Sequence, residues 1–317
     1  MKYSIDISRY QGAIDLDILA NCGVEIETII VKSSSGLYKD PAFDGHASKI
    51  KNDGRFKLGI YHWTDPIVDY QKQADNCFSF IEKYKPDEVC VDIEQWWKDW
   101  NKWYLYIQGK LSYAKVPRVS GTQISDCGLV WVKTALKHYP REKITVYTNQ
   151  DTVENRAPAL QKWYGDFGTW LAQYPRFPDI RTWEQYKLIC EPLLLKKPKP
   201  YARGMTYLKR WQFSGDQWDL AGTYSDMAML RRSNLDLNVD FERGEVIEQT
   251  TPIADLMYSA KVTALFLNKR EFPNVTSKSI GYFKAGDLVS VYDEEAGWGL
   301  VNLNPITWVS LKYLKRI

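Results

Sequence analysis

Two carboxylates two residues apart, Asp92 and Glu94, close the apolar run Val89-Cys90-Val91, and a tryptophan-rich stretch follows them. A short apolar run bounded by polar residues reads as a buried strand. Side chains on a strand alternate between faces, so residues two apart share one, roughly 7 Å apart at Cα. Asp92 and Glu94 would then project together from a strand end. Two acids so placed repel, and burial opposes charge on both, so at least one is expected to keep its proton to unusually high pH. Acid-catalysed cleavage of a glycosidic bond needs that arrangement: one carboxyl to donate a proton, and one carboxylate beside the positive charge that develops. The plainer reading is a pair of solvated acids at a strand end.

The elements that must position this pair alternate. Strand-like runs fall at 3–7, 27–33, 57–62, 88–93, 143–147, 168–172 and 207–213, and helix-like stretches at 15–22, 41–53, 69–84, 126–138 and 151–164. Strand–helix alternation predicts a parallel sheet with crossover helices, and the count suits a closed α/β barrel short of eight regular units. In such a barrel the site lies at the C-terminal strand ends, where Asp6, His62, Glu94, Tyr147 and Trp170 fall. Two stretches interrupt the rhythm. Residues 95–124 hold Trp96, Trp97, Trp100, Trp103, Tyr104 and Tyr106, and read as a long loop on the active face, either a packed lid or a wall of the site. Cys190 to Arg203 reads as an irregular loop without assigned function.

Composition narrows the classes. With 317 residues there is room for one barrel-sized domain and a small one. Five cysteines at irregular spacing argue for buried thiols rather than a disulfide framework. Three scattered histidines show no zinc-ligand spacing, so no metal and no cofactor is expected. A net charge of +3 is too small to suggest nucleic acid. No apolar run approaches ~18 residues, so no membrane insertion is expected. No signal peptide is visible, because Met1-Lys2 leads straight into the first strand.

Residues 243–256 are polar and read as a linker, which divides the chain into a first domain at 1–242 and a second at 257–317. Beyond the linker, short strand-like runs at 260–267, 279–283, 288–292, 298–302 and 307–311 are punctuated by glycines and predict a small all-β barrel. Val262 to Arg270, Phe283-Lys284-Ala285-Gly286-Asp287, Gly297-Trp298 and Trp308-Val309 resemble the bacterial SH3-like domain of wall lysins, with Thr307 where a glycine is usual. Residues 257–317 carry eight Lys or Arg against five Asp or Glu, which suits an anionic polymer such as the cell wall. A packing or dimerisation module is the alternative.

One family carries these motifs in the same order. Tyr3 to Ser8 with Gln11-Gly12, Ile29 to Lys32, Tyr38 to Pro41, Gly59 to Trp63, the acid doublet, Val146-Tyr147-Thr148, Trp170 to Tyr174, Trp211-Gln212 and Asp236-Leu237-Asn238 resemble the family 25 glycoside hydrolases. These are muramidases (Chalaropsis-type lysozymes), common among phage endolysins. The resemblance covers about three quarters of the chain. It implies an irregular (β/α), TIM-like barrel and cleavage of the β-1,4 bond between N-acetylmuramic acid and N-acetylglucosamine. It makes Glu94 the proton donor and Asp92 its partner, with Asp6 and Asp236 as two further pocket acids. It places Tyr61, Tyr147, Trp170, Tyr174 and Gln212 against sugar and acetamide, and makes Lys32 a substrate contact or a counter-ion of the acids. The same residues serve a substrate-assisted route and direct attack by water. The implied partner is bacterial peptidoglycan, met by a monomer made in a host cytoplasm and released to the wall by a holin-type route. One departure is Ser35, where the family usually carries a glutamate. Rival readings are a chitinase, whose Asp-x-Asp-x-Glu motif is broken here by Cys90, and an inactive sugar-binding barrel anchored to the wall.

Overall fold

The structure is a computed structural model that describes residues 2–174, 184, 187–188, 191–194, 202–214, 236–246, 258–270, 273–275, 277–291, 293–295, 297–303 and 306–317. It divides into two compact units, Met1–Ile247 and Glu248–Ile317.

The strands of the first unit are β1 (Lys2–Ile7), β2 (Ile26–Ser35), β3 (Tyr38–Lys39), β4 (Lys57–Trp63), β5 (Glu88–Asp92), β6 (Ile144–Asn149), β7 (Gly168–Ala172), β8 (Tyr207–Ser214) and β9 (Asp236–Val246). Pairing runs β1-β9-β8-β7-β6-β5-β4-β2 and returns from β2 to β1, which closes an eight-strand barrel. The short β3 is an antiparallel addition to the end of β2. Every barrel pair is parallel except the two that β9 makes, with β8 and β1. An antiparallel strand begins where its neighbours end. Asp236, at the start of β9, therefore stands opposite Asp6, near the end of β1.

Strand alternation sorts the side chains into two populations. Tyr3, Ile5 and Ile7 of β1 point outward into the main core, as do Val89 and Val91 of β5 and Trp211 and Phe213 of β8. The intervening residues point into the barrel, where Ile30, Cys90, Tyr147 and Trp170 form a separate inner cluster. Near the base, Arg210 bonds Glu88 at 2.5 Å and also pairs with Asp240. Gly59 of β4 makes room for this interior: a Cβ there would lie 2.9 Å from Ile30 and 3.2 Å from Glu88.

Helices flank the barrel, among them α1 (Leu16–Ala20), α2 (Phe43–Asp53), α3 (Tyr70–Ile81), α4 (Trp100–Ile107) and α5 (Gly121–Ala135). Their starts are written locally. Asp69 caps α3 through the Lys72 N–H at 2.7 Å, and Ser120 with Gln123 forms a reciprocal capping box on α5. Gly128 lets α5 close on the acid segment, since a Cβ there would sit 2.3 Å from Ile93 Cδ1.

The structure revises several expectations. The helix expected over 151–164 is a run of short turns: Thr152–Arg156, Pro158–Lys162 and Tyr164–Asp166. Pro158 supplies no N–H and keeps Ala157 out of helical geometry, so no helix passes through. The loop at 95–124 contains α4 and a bridge between Trp97 and Arg118. Strand β9 runs to Val246, into the stretch read as linker; a strand pairs through its backbone, so polarity alone did not exclude it. Of that stretch, 247–256 lie outside the described residues. Within Cys190 to Arg203, Glu191–Leu194 is a helical turn, while 190 and 195–201 lie outside the described residues.

The second unit holds β10 (Tyr258–Val262), β11 (Phe266–Arg270), β12 (Ser279–Lys284), β13 (Leu288–Val291), β14 (Asp293–Glu295), β15 (Trp298–Leu303), β16 (Ile306–Ser310) and β17 (Leu314–Arg316). They form two antiparallel sheets, β13-β10-β17 and β12-β11-β16-β15-β14, around Ala260, Val262, Leu267, Val289, Val291 and Val309. The single strand expected at 260–267 is two, β10 and β11, because the chain bends at Ala264-Leu265; the Thr263 N–H still continues the β10–β17 ladder by donating to the Tyr313 carbonyl at 2.9 Å.

Candidate active site

The mouth of the barrel opens into a cleft of about 380 Å³ whose lining includes Asp6, Asp92, Glu94 and Asp236. The doublet is held extended by its backbone. The Ile93 N–H donates to the Tyr147 carbonyl and the Thr148 hydroxyl donates to the Ile93 carbonyl, each at 3.0 Å. Ile93 faces α5, and the two acids on either side of it face the cleft.

Asp6 is the focus of a converging set of donors. Its Oδ2 accepts from Gln212 Nε2 and Asn238 Nδ2, both at 3.0 Å. Gln212 is oriented in turn by the hydroxyls of Tyr147 at 2.8 Å and Tyr174 at 2.7 Å, which donate to its Oε1. Asn238 is oriented by Trp170 Nε1, donating at 2.7 Å. Tyr174 leaves 51% of its surface exposed, but its hydroxyl is turned into this network. Asp6 also hydrogen-bonds Asp236, a contact between two carboxyls that requires a shared proton. Burial raises Asp6 to about 6, against the opposing pull of its donors Asn238 and Gln212.

Asp92 is pushed well above the ordinary carboxylate range, first by burial, then by the charge of Glu94, and further by Asp6. Lys32 opposes this shift. Two residues on from the inward-facing Ile30, its ammonium lies 4.7 Å from the Trp63 ring centre and 5.6 Å from that of Tyr61, both lining residues of the cleft. Asp92 Oδ1 is buried without a hydrogen-bond partner among the described residues, so nothing there settles a charge on it. The carboxyls titrate as a group, each raising its neighbours. Ser35 ends β2 in register with Trp63 and lies off the cleft lining.

The structure thus gathers Asp6, Asp92, Glu94, Asp236, Tyr61, Tyr147, Trp170, Tyr174 and Gln212 around one cleft, with Lys32 against the rings of Trp63 and Tyr61. His62 is not with them. It alternates outward from Tyr61, bonds Ser34 Oγ at 2.9 Å and Gln73 at 3.2 Å, and burial lowers it to about 4. Sequence reasoning passed over Trp63, Asn149, Asp151 and Thr152 as lining residues, and Asn238 as a partner of Asp6. Trp63 lies two residues beyond Tyr61 on one strand face, and Asn149 to Thr152 follow the end of β6, so strand alternation and the barrel-mouth rule reach both. Trp97 and Trp103, stacked at 4.1 Å, make part of the wall. Asp151 pairs with Arg156 at 2.7 Å, and that guanidinium lies 4.5 Å over Trp96, which ties the tryptophan loop to the far rim.

A sequence model of glycosyl hydrolases family 25 matches residues 5–219. No curated protein matches the chain in sequence. Among solved structures, a family 25 glycosyl hydrolase from Bacillus anthracis is similar, with a TM-score of 0.52 and 17% identity over 76% of this chain and 89% of that one. The modular autolysin LytC from Streptococcus pneumoniae, solved in complex with a synthetic peptidoglycan ligand, gives 0.51 and 17% over 76% of this chain and 46% of that one. A GH25 lysozyme from Aspergillus fumigatus gives 0.50 and 17% over 75% and 93%. At such identities the structural likeness concerns the fold.

Proposed function

The chain belongs to glycosyl hydrolases family 25, and from that premise we propose that it is an N-acetylmuramidase that cuts the β-1,4 bond between N-acetylmuramic acid and N-acetylglucosamine of peptidoglycan. The observation that carries this reading is the meeting of Asp92 and Glu94 with Asp6 and Asp236 in one aromatic cleft. Glu94, the less buried member of the doublet, donates its proton to the leaving oxygen. Asp92 faces the developing positive charge and the acetamido group. Asp6 and Asp236, sharing a proton, hold the floor of the pocket. Trp63, Trp97 and Trp103 offer flat apolar faces to sugar rings, and Tyr61, Tyr147 and Tyr174 add polar edges.

In this proposal the protein is an endolysin of phage type that lyses bacterial cells. It reaches the wall by a holin-type route. The second unit is a wall-binding SH3-like domain, and its excess of basic residues suits an anionic wall. The test is release of reducing ends from purified peptidoglycan and from chitin. Wild-type protein should act on peptidoglycan and spare chitin, and Glu94→Gln should lose roughly 10² or more of the rate while staying folded. Equal attack on chitin, or near-wild-type rates in the variant, would overturn the assignment.

A further inference from the structure

The tryptophan loop has an outer face that the cleft does not use. In α4, Trp103 and Tyr106 turn inward, Trp103 stacking on Trp97 at 4.1 Å and Tyr106 meeting Trp96 edge-on at 5.8 Å. Trp100 and Tyr104, one helical turn apart, remain 46% and 57% exposed. Helix formation does not ask for large aromatics at solvent positions, where polar residues are the rule. Nor is Trp100 isolated. Its ring lies 5.1 Å from that of Trp97, 5.5 Å from Trp103 and 6.3 Å from Trp63, and those three line the cleft. The aromatic wall therefore continues over the rim onto the outside of α4.

We propose that Trp100 and Tyr104 form a distal glycan subsite, which holds the sugar strand beyond the bond being cut. This deepens the muramidase reading and rests on it. The occupant follows from continuity: a polymer threaded through the cleft leaves over Trp97, Trp103 and then Trp100. The spacing suits it, since side chains one helical turn apart are about 5.4 Å apart along the axis, comparable to one pyranose unit. The chemistry suits it as well, because a pyranose ring presents C–H groups that pack on aromatic faces and hydroxyls that stay in water. The platform is anchored: Asp99 caps α4 through the Lys102 N–H at 3.0 Å.

The test is steady-state hydrolysis by the full chain of peptide-free peptidoglycan tetrasaccharide and dodecasaccharide. Wild-type protein should show the lower KM on the dodecasaccharide. Trp100→Ala and Tyr104→Ala should each raise that KM by about tenfold, the loss of one aromatic anchor, with kcat and the tetrasaccharide KM unchanged. Trp100→Tyr, which keeps a ring, should restore most of the difference and guards against misfolding of the alanine variant. If the long-chain advantage survives both alanine changes, the proposal is overturned. If those changes instead alter the sedimentation of the full chain, a second protein copy covers the face, and the proposal is equally overturned. If wild-type protein cleaves neither oligosaccharide, the muramidase reading fails separately, and calorimetric binding of the dodecasaccharide by wild type and Trp100→Ala then decides the subsite.

Discussion

At the scale of single residues, the arrangement separates two acids that look alike in sequence. Asp92 is buried, raised above the ordinary carboxylate range by burial and by the charge of Glu94, and has an oxygen without a partner among the described residues; Glu94 is half-buried at the same rim. Their coupling has a sign. A negative Asp92 helps Glu94 keep its proton, so Asp92→Asn should let Glu94 ionise sooner and move the alkaline limb of the pH–rate profile to lower pH, together with a drop in kcat. A profile that keeps its shape would mean that the two carboxyls act independently. The doublet was legible because strand alternation is a local rule and needs only three consecutive residues. The network around Asp6 was not. Asn238 and Gln212 reach it across more than 200 positions of chain, and no local pattern marks an amide as aimed at a distant acid.

At the scale of elements, the inner face of the strands is built in layers, and the lowest is ionic. Burial would raise Glu88, but the charges of Arg210 and Lys209 more than offset it and hold that carboxyl at about 2. Asp240 shares Arg210 yet stays raised, because it is as deep, lacks the lysine, and leaves Oδ2 unbonded among the described residues. A folded-state value below the unfolded 4.5 means that Glu88 contributes stability above pH 4.5, and loses it as pH falls through that value toward about 2. Arg210→Met should strand Asp240 and leave Glu88 with Lys209 alone, and cost about 3–5 kcal/mol in urea unfolding at neutral pH. The gap to wild type should narrow on acidification, as Glu88 takes up its proton. A gap that does not change with pH would point to lost packing rather than lost charge. The strands themselves were readable from their apolar runs, whereas the turns after β6 were not. There, apolar residues at helical spacing suggested a helix, and a single proline decided otherwise.

At the scale of the whole chain, the second unit has its own core and its own hydrogen-bonded sheets, so it should fold by itself. A chain ending at Ile247 should cleave soluble muropeptides as fast as the full chain, yet lyse whole cells more slowly by about tenfold or more, because tethering to the wall raises local concentration. Unimpaired lysis by the shortened chain would remove the wall-binding role. Closure of the barrel by a reversed final strand has a consequence in time. Asp6 is synthesised with β1, the first strand of the barrel, and its partner Asp236 arrives only with β9. At about 5–20 residues per second, the ribosome needs roughly ten to fifty seconds to supply the second acid. Pairing between such distant segments is also intrinsically slow. The nascent barrel therefore spends most of its synthesis with an unclosed seam and an unfinished pocket, and becomes a catalyst only when its last strand docks.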